Sequence, residues 1–117
     1  MRKSLREMQD WMAMRRGFAS YDVADAQVRG GIDTALAAPV KSADRKVLSD
    51  GTRVFTNNLD RGVVDLSRLD YEWHHGEKRW VPWFDVIVDT NYKGEPHSER
   101  VLQSDDRVTT RFEGRSA

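Results

Sequence analysis

Cysteine does not occur in this chain, which excludes disulfides, thiolate metal sites and cysteine nucleophiles together. Proline is scarce, and no apolar run approaches the ~20 residues that a membrane-spanning helix needs. Arg2 and Lys3 resemble the start of a secretion signal, but Glu7, Asp10 and Arg15 interrupt the apolar stretch such a signal requires. Nothing here requires an oxidising compartment or a membrane, so the chain reads as cytoplasmic. Net charge is missing as well. Nineteen basic and 19 acidic side chains cancel, whereas a purely electrostatic nucleic-acid binder carries a basic excess. There is no Gly-x-Ser-x-Gly elbow, phosphate-binding loop or dinucleotide fingerprint, and the Gly30-Gly31 pair alone is none of these. No catalytic residue and no cofactor is expected on these grounds.

What is present is a globular composition. With 38% apolar and 32% charged residues over 117 positions, the chain matches one ordinary domain that buries about two thirds of its unfolded surface. Its charge is unevenly spread. Residues 1–20 hold Arg2, Lys3, Arg6, Arg15 and Arg16 against Glu7 and Asp10, while residues 49–92 hold eight acidic groups against five basic ones. The N-terminus is positive and the middle negative.

Between Ser4 and Phe18 the apolar residues Leu5, Met8, Trp11, Met12, Met14 and Phe18 fall within about half a helical wheel. Ser4 suits the cap and Gly17 the end of that helix. A second helical segment is expected from Ser20 as its cap, through Val23, Ala24, Val28, Ile32, Ala35 and Leu36, with Pro39 as its stop. Two glycines at 30–31 cost about 1 kcal/mol each in a helix interior, so one continuous helix and a broken one are both open. The pattern then changes to short β-rich runs. Asp50-Gly51 between Val47–Ser49 and Thr52–Thr56 predicts a hairpin, and Gly62–Leu66 a further strand after the turn at 57–60. Asn91–Pro96 reads as a loop, Arg100–Gln103 as a strand, Asp105-Asp106 as a turn and Val108–Phe112 as the last strand. The expected fold is α+β within a single domain, 1–117: a helical part at 1–38 packed on an antiparallel sheet of five to six strands at 45–112, and a tail at 113–117. Ala37–Ala43 is the candidate hinge.

The stretch Leu69–Asp89 is the most informative. A two-residue Gly76-Glu77 turn with glycine first would pair Trp73 with Trp80. Residues two apart share a face, so Leu69, Tyr71, Trp73, Trp80, Pro82, Phe84, Val86 and Val88 would form one apolar side. The other side would carry Asp70, Glu72, His74, Arg79, Val81, Trp83, Asp85, Ile87 and Asp89. Trp83 is the odd residue there, a large aromatic on a charged surface. Bordered by Arg79, Glu72 and Asp85 it has the make-up of a partner-binding anchor inside a polar rim. If the helices cover that side instead, Trp83, Val81 and Ile87 become core.

Other constellations are weaker. His74, His75, Asp85 and Asp89 are metal-ligand types, but Asp85 and Asp89 stand about 13 Å apart along a regular strand and His74 and His75 point to opposite faces. Asp89 with Lys93 lacks the spacing of nuclease carboxylate-lysine units, because Asn91 stands two before Lys93. His97 has no identified partner. No metal site is expected, and a metal-dependent hydrolase or nuclease ranks third, behind binding of a protein and of a nucleic acid. Arg2, Arg6 and Arg16 lie with Gln9 on the polar arc of the first helix and offer an alternative, nucleic-acid-binding reading. Met8, Met12 and Met14 with Trp11 could form an adaptable partner surface, although packing on the sheet is the simpler role.

The stretch FDVIVDT at Phe84–Thr90, followed by NYKGEP and QSDDRVTTRF, resembles the tails of small uncharacterised proteins of actinobacteria and their phages. The resemblance covers the last third of the chain and assigns no residue a role. It implies a small accessory protein that binds something of the host or phage. Together with the Trp83 face, it predicts a non-enzymatic protein whose partner is another protein.

Overall fold

The computed structural model describes residues 2–36 and 39–111. Along the chain come β1 (Arg2–Ser4), α1 (Leu5–Met14), α2 (Ala26–Leu36), β2 (Arg53–Phe55), β3 (Arg61–His74), β4 (Arg79–Thr90) and β5 (Pro96–Ser104), then one turn of 3₁₀ helix at Asp105–Arg107. This is the expected α+β arrangement, with two helices and a five-stranded antiparallel sheet. β3, β4 and β5 form a meander, and β1 and β2 pair with the two ends of the free edge of β3. Among the described residues no helix is long and apolar enough to cross a membrane.

Both ends of α1 are closed as its sequence predicts. The Ser4 hydroxyl accepts the Glu7 amide at 3.2 Å, and the Glu7 carboxylate accepts the Ser4 amide at 3.4 Å, a reciprocal capping box. At the other end Phe18 donates to the Ala13 carbonyl and Gly17 to that of Met14, with Gly17 at φ 91°, a conformation that costs glycine nothing. Phe18 then packs on the small cluster of Ala13, Ala24 and Ile32. Arg2, expected on this helix, lies instead in β1, where it pairs with Glu72. Once Ser4 is committed as the cap, the residues before it have no helical hydrogen bonds to make, and the open edge of β3 takes them.

α2 starts later than Ser20. The Asp10 carboxylate holds the Tyr21 amide at 2.9 Å, Ala24 donates to the Tyr21 carbonyl, and the Asp25 carboxylate caps Val28 at 2.8 Å. The chain therefore turns at 21–24 before the helix can begin. From there α2 runs unbroken through Gly30-Gly31. Ile32, fully buried against Ala13 and Ala24, offsets the cost of the glycines.

The Asp50-Gly51 turn forms, with Gly51 at φ 83°, but it does not join two paired strands. Gly51 donates to the Val64 carbonyl, and the Asp50 carboxylate accepts the Leu66 amide at 2.6 Å, so the turn is fastened to β3. β2 pairs with β3 across the 56–60 loop, while Val47 bridges back to Lys41. Gly62–Leu66 and the first arm of the 69–89 hairpin are one strand, β3, with a bulge: Asp65 faces Asp85 but Asp70 faces Trp83. Trp73 does pair with Trp80, yet through a four-residue loop at 75–78. His74 Nδ1 accepts the Glu77 amide at 2.9 Å, and Lys78, not Gly76, takes the left-handed conformation at φ 53°. The expected last strand is a single bridge between Thr109 and Phe55. Phe112, the 113–117 tail and Ala37-Ala38 of the candidate hinge lie outside the described residues.

One face of the sheet is the core. Phe84, Val86 and Val88 of β4 are fully buried with Val54, Val64, Leu48 and Val108, each such side chain worth about 1.5–3 kcal/mol when taken out of water. The segment around 40–48 and the 108–110 stretch cover this part. Asp44 ties them together: burial pushes its carboxyl up, but the Ser42 and Thr110 hydroxyls and the Thr110 amide outweigh that and hold it at about 2. Nearer the hairpin loop the same face is covered by the helices. Trp11 sets its ring edge against Trp80 at 5.1 Å, and the Tyr71 hydroxyl donates to the Leu36 carbonyl at 3.3 Å.

Candidate interaction site

Trp83 faces away from this core. In the β4 register it lies beside Asp70 and Ser104, with Val81 and Asp85 as its same-face neighbours. Because α1 seats Trp11 against Trp80, on the other side of the strand, the question left open by the sequence is answered: the helices cover the apolar side. Trp83 is half-buried, and what touches its ring is cationic. The Arg2 guanidinium lies 3.9 Å from the ring centroid and that of Arg107 lies 5.1 Å from it, one arriving from β1 and the other from the 3₁₀ turn beyond β5.

Beside the ring opens a pocket of about 450 Å³. Its walls are Glu72, Trp73 and His74 of β3, the loop residues His75 and Gly76, Val81 and Trp83 of β4, and Ser104, Asp106 and Arg107. No residue of either helix lines it. Glu72 is paired with Arg2 at 3.6 Å, and the Ser104 hydroxyl donates to Asp106. The walls thus combine two tryptophans, the guanidinium of Arg107 and the carboxylates of Glu72 and Asp106, a surface suited to hydrogen-bonded recognition of a polar chain.

Of the four residues predicted to form the site, Trp83 and Glu72 line this pocket. Arg79 stands nearby, its guanidinium spent on Asp105 at 3.1 Å and Glu77 at 2.7 Å, which raises its pKa above the ordinary arginine value. Asp85 does not belong to an exposed rim. It is only 1% exposed, gripped by Arg68 through two hydrogen bonds of 2.9 and 3.0 Å and by Arg100 at 3.0 Å. Arg100 also reaches Asp65 at 2.6 Å. The Ser67 amide and hydroxyl, with Arg100, hold the Asp65 carboxyl at about 2. A carboxylate in mid-strand between apolar neighbours was the signal for such counter-ions. The arginines that supply them stand 17 positions before and 15 after it, which no local pattern reveals.

The basic trio is dispersed. Arg2 lies over Trp83, Arg6 is paired with Asp22 and Asp10, and Arg16 donates to the Met12 carbonyl at 3.2 Å. They form no common stripe. The metal-ligand types are dispersed too: His74 holds the loop, His75 sets its ring edge toward Trp73 at 6.5 Å, Asp85 lies under arginines and Asp89 pairs with Arg53. Among the described residues no three His, Asp or Glu side chains converge. His97 meets only Glu99, at 3.1 Å. Compared with known proteins, the chain matches no family model, no curated protein and no solved structure.

Proposed function

We propose that the protein is a non-enzymatic interaction protein that binds a protein partner through the Trp83 face of its sheet. The observation that carries this reading is the side of the sheet the helices take. With the apolar face covered, a tryptophan is left on the other face beside a 450 Å³ pocket to which neither helix contributes. Tryptophan and arginine are the residues most enriched where truncation costs interfaces their affinity. Trp83 brings its own arginines, held against the ring and so partly ordered before a partner arrives. The resemblance of the last third to small actinobacterial and phage proteins supports an accessory role of this kind.

The test is affinity capture from an actinobacterial lysate with the parent protein and its Trp83→Ala form, each shown to be folded by circular dichroism. A partner retained by the parent and lost by the variant is the expected result. Identical retained proteins on both columns would remove Trp83 from the interface and with it this reading.

A further inference from the structure

Resting on that reading, we infer that Arg107 is the acid-reading residue of the Trp83 pocket, and that the partner segment it receives is a polypeptide presenting a single carboxylate side chain. The neighbouring guanidiniums of Arg2, Arg68, Arg79 and Arg100 each meet a carboxylate of this chain. Arg107 makes no ion pair among the described residues, although it is exposed and lines the pocket. The adjacent carboxylate, Asp106, accepts the Ser104 hydroxyl instead, and Glu72 across the pocket is paired with Arg2.

What Arg107 does have is the Trp83 ring at 5.1 Å. Contact with an indole takes water from one side of a guanidinium and restrains its rotamers without using its N–H donors. A planar fork held in this way is matched to a carboxylate, which it can grip through two parallel hydrogen bonds. The pocket volume falls toward the small end of ligand sites, room for one or two side chains. A nucleic-acid backbone is the poorer fit. It presents phosphates in series and is held by several cations, whereas this pocket offers one uncommitted guanidinium between Glu72 and Asp106, which suits a single carboxylate and repels any series of anions.

The experiment uses ¹⁵N-labelled full chain and follows the four indole N–H resonances, that of Trp83 being assigned by its loss in Trp83→Phe. The probe is a glycine pentapeptide with glutamate at its centre, acetylated and amidated so that one side-chain carboxylate remains. The expected result is a saturable shift of the Trp83 indole. Affinity should fall at least about tenfold in Arg107→Ala, fall less in Arg107→Lys, which keeps the charge but loses the fork, and stay unchanged in Arg16→Ala. Equal affinity of the parent and Arg107→Ala, no shift at millimolar peptide, or tighter saturation by tripolyphosphate or hexathymidylate would each overturn the assignment. The lysate capture separates the two claims. If Trp83→Ala loses the partner while Arg107→Ala keeps it, the acid-reading role alone fails. If Trp83→Ala keeps every partner, the interaction face fails and takes this role with it.

Discussion

Within the single strand β4, two neighbouring residues leave water by different means. Phe84 is buried by apolar side chains from β2, β3 and the 108 stretch, and Asp85, pointing the other way, is buried as deeply by the guanidiniums of Arg68 and Arg100. Apolar burial gains from every Å² removed from water, and no single neighbour is indispensable. Ionic burial holds only while both signs are present, because a lone charge at that depth is far costlier than a lone methyl group. The two faces therefore share a strand and differ in what can break them.

The comparison can be broken most forcefully from the apolar side. Phe84→Ala is expected to lose about 4 kcal/mol in urea unfolding, from transfer and cavity together. On the other side, Arg68→Ala combined with Arg100→Ala should cost about 3 kcal/mol, since Asp85 is then left charged without a counter-ion. Restoring neutrality in the triple variant with Asp85→Ala should recover part of that loss, which no apolar variant can do. Gly62→Ala tests the close approach of β3 to β4: its Cβ would stand 2.5 Å from the Ile87 carbonyl oxygen, so a loss of about 2 kcal/mol is expected from overpacking. Trp83→Ala should cost about 1.5 kcal/mol, from two guanidinium contacts and partial burial; a loss as large as that of Phe84→Ala would make Trp83 a core residue.

The gentlest probe is acid. Asp44 and Asp65 are held at about 2 in the fold, below the ~3.9 of an aspartate in an unfolded chain. Their contribution is complete above about pH 4 and is lost as pH falls through 2, so the thermal midpoint should decline over that window. Asp44→Asn should flatten this acid limb. Salt at about 1 M, which shortens screening to about 3 Å, should weaken the exposed pairs on the Trp83 face and leave the apolar face untouched.

How much of this was legible in the sequence followed from range. The cap at Ser4, the glycine stop at Gly17, and the Trp73–Trp80 register depend on residues a few positions apart, and local pattern was enough to read them. β1 was missed because three residues have no periodicity to display. The bulge at 66–69 and the capture of the Asp50-Gly51 turn by Leu66 depend on where β3 sits, which is a tertiary fact. The same division holds for the site. The alternation along β4 set Trp83 apart, yet the same alternation put Asp85 in the rim, because nothing nearby announces the two arginines above it. Arg107, which the sequence reading did not single out, gains meaning only from the turn that brings it to Trp83.

The tryptophans have an optical consequence. Trp11, Trp80 and Trp73 form a string of edge-to-face rings with centroid spacings of 5.1 and 5.7 Å, ending 6.5 Å from His75, while Trp83 stands on the opposite face between cations. Excitation absorbed anywhere in the string is shared among its members, so their emission reports the seating of the helix on the sheet as one signal. Trp83 emits under the influence of fixed positive charge beside its ring. A single preparation thus carries two built-in fluorophores of different sensitivity, and selective quenching by iodide, drawn toward Arg2 and Arg107, singles out Trp83 without any added label.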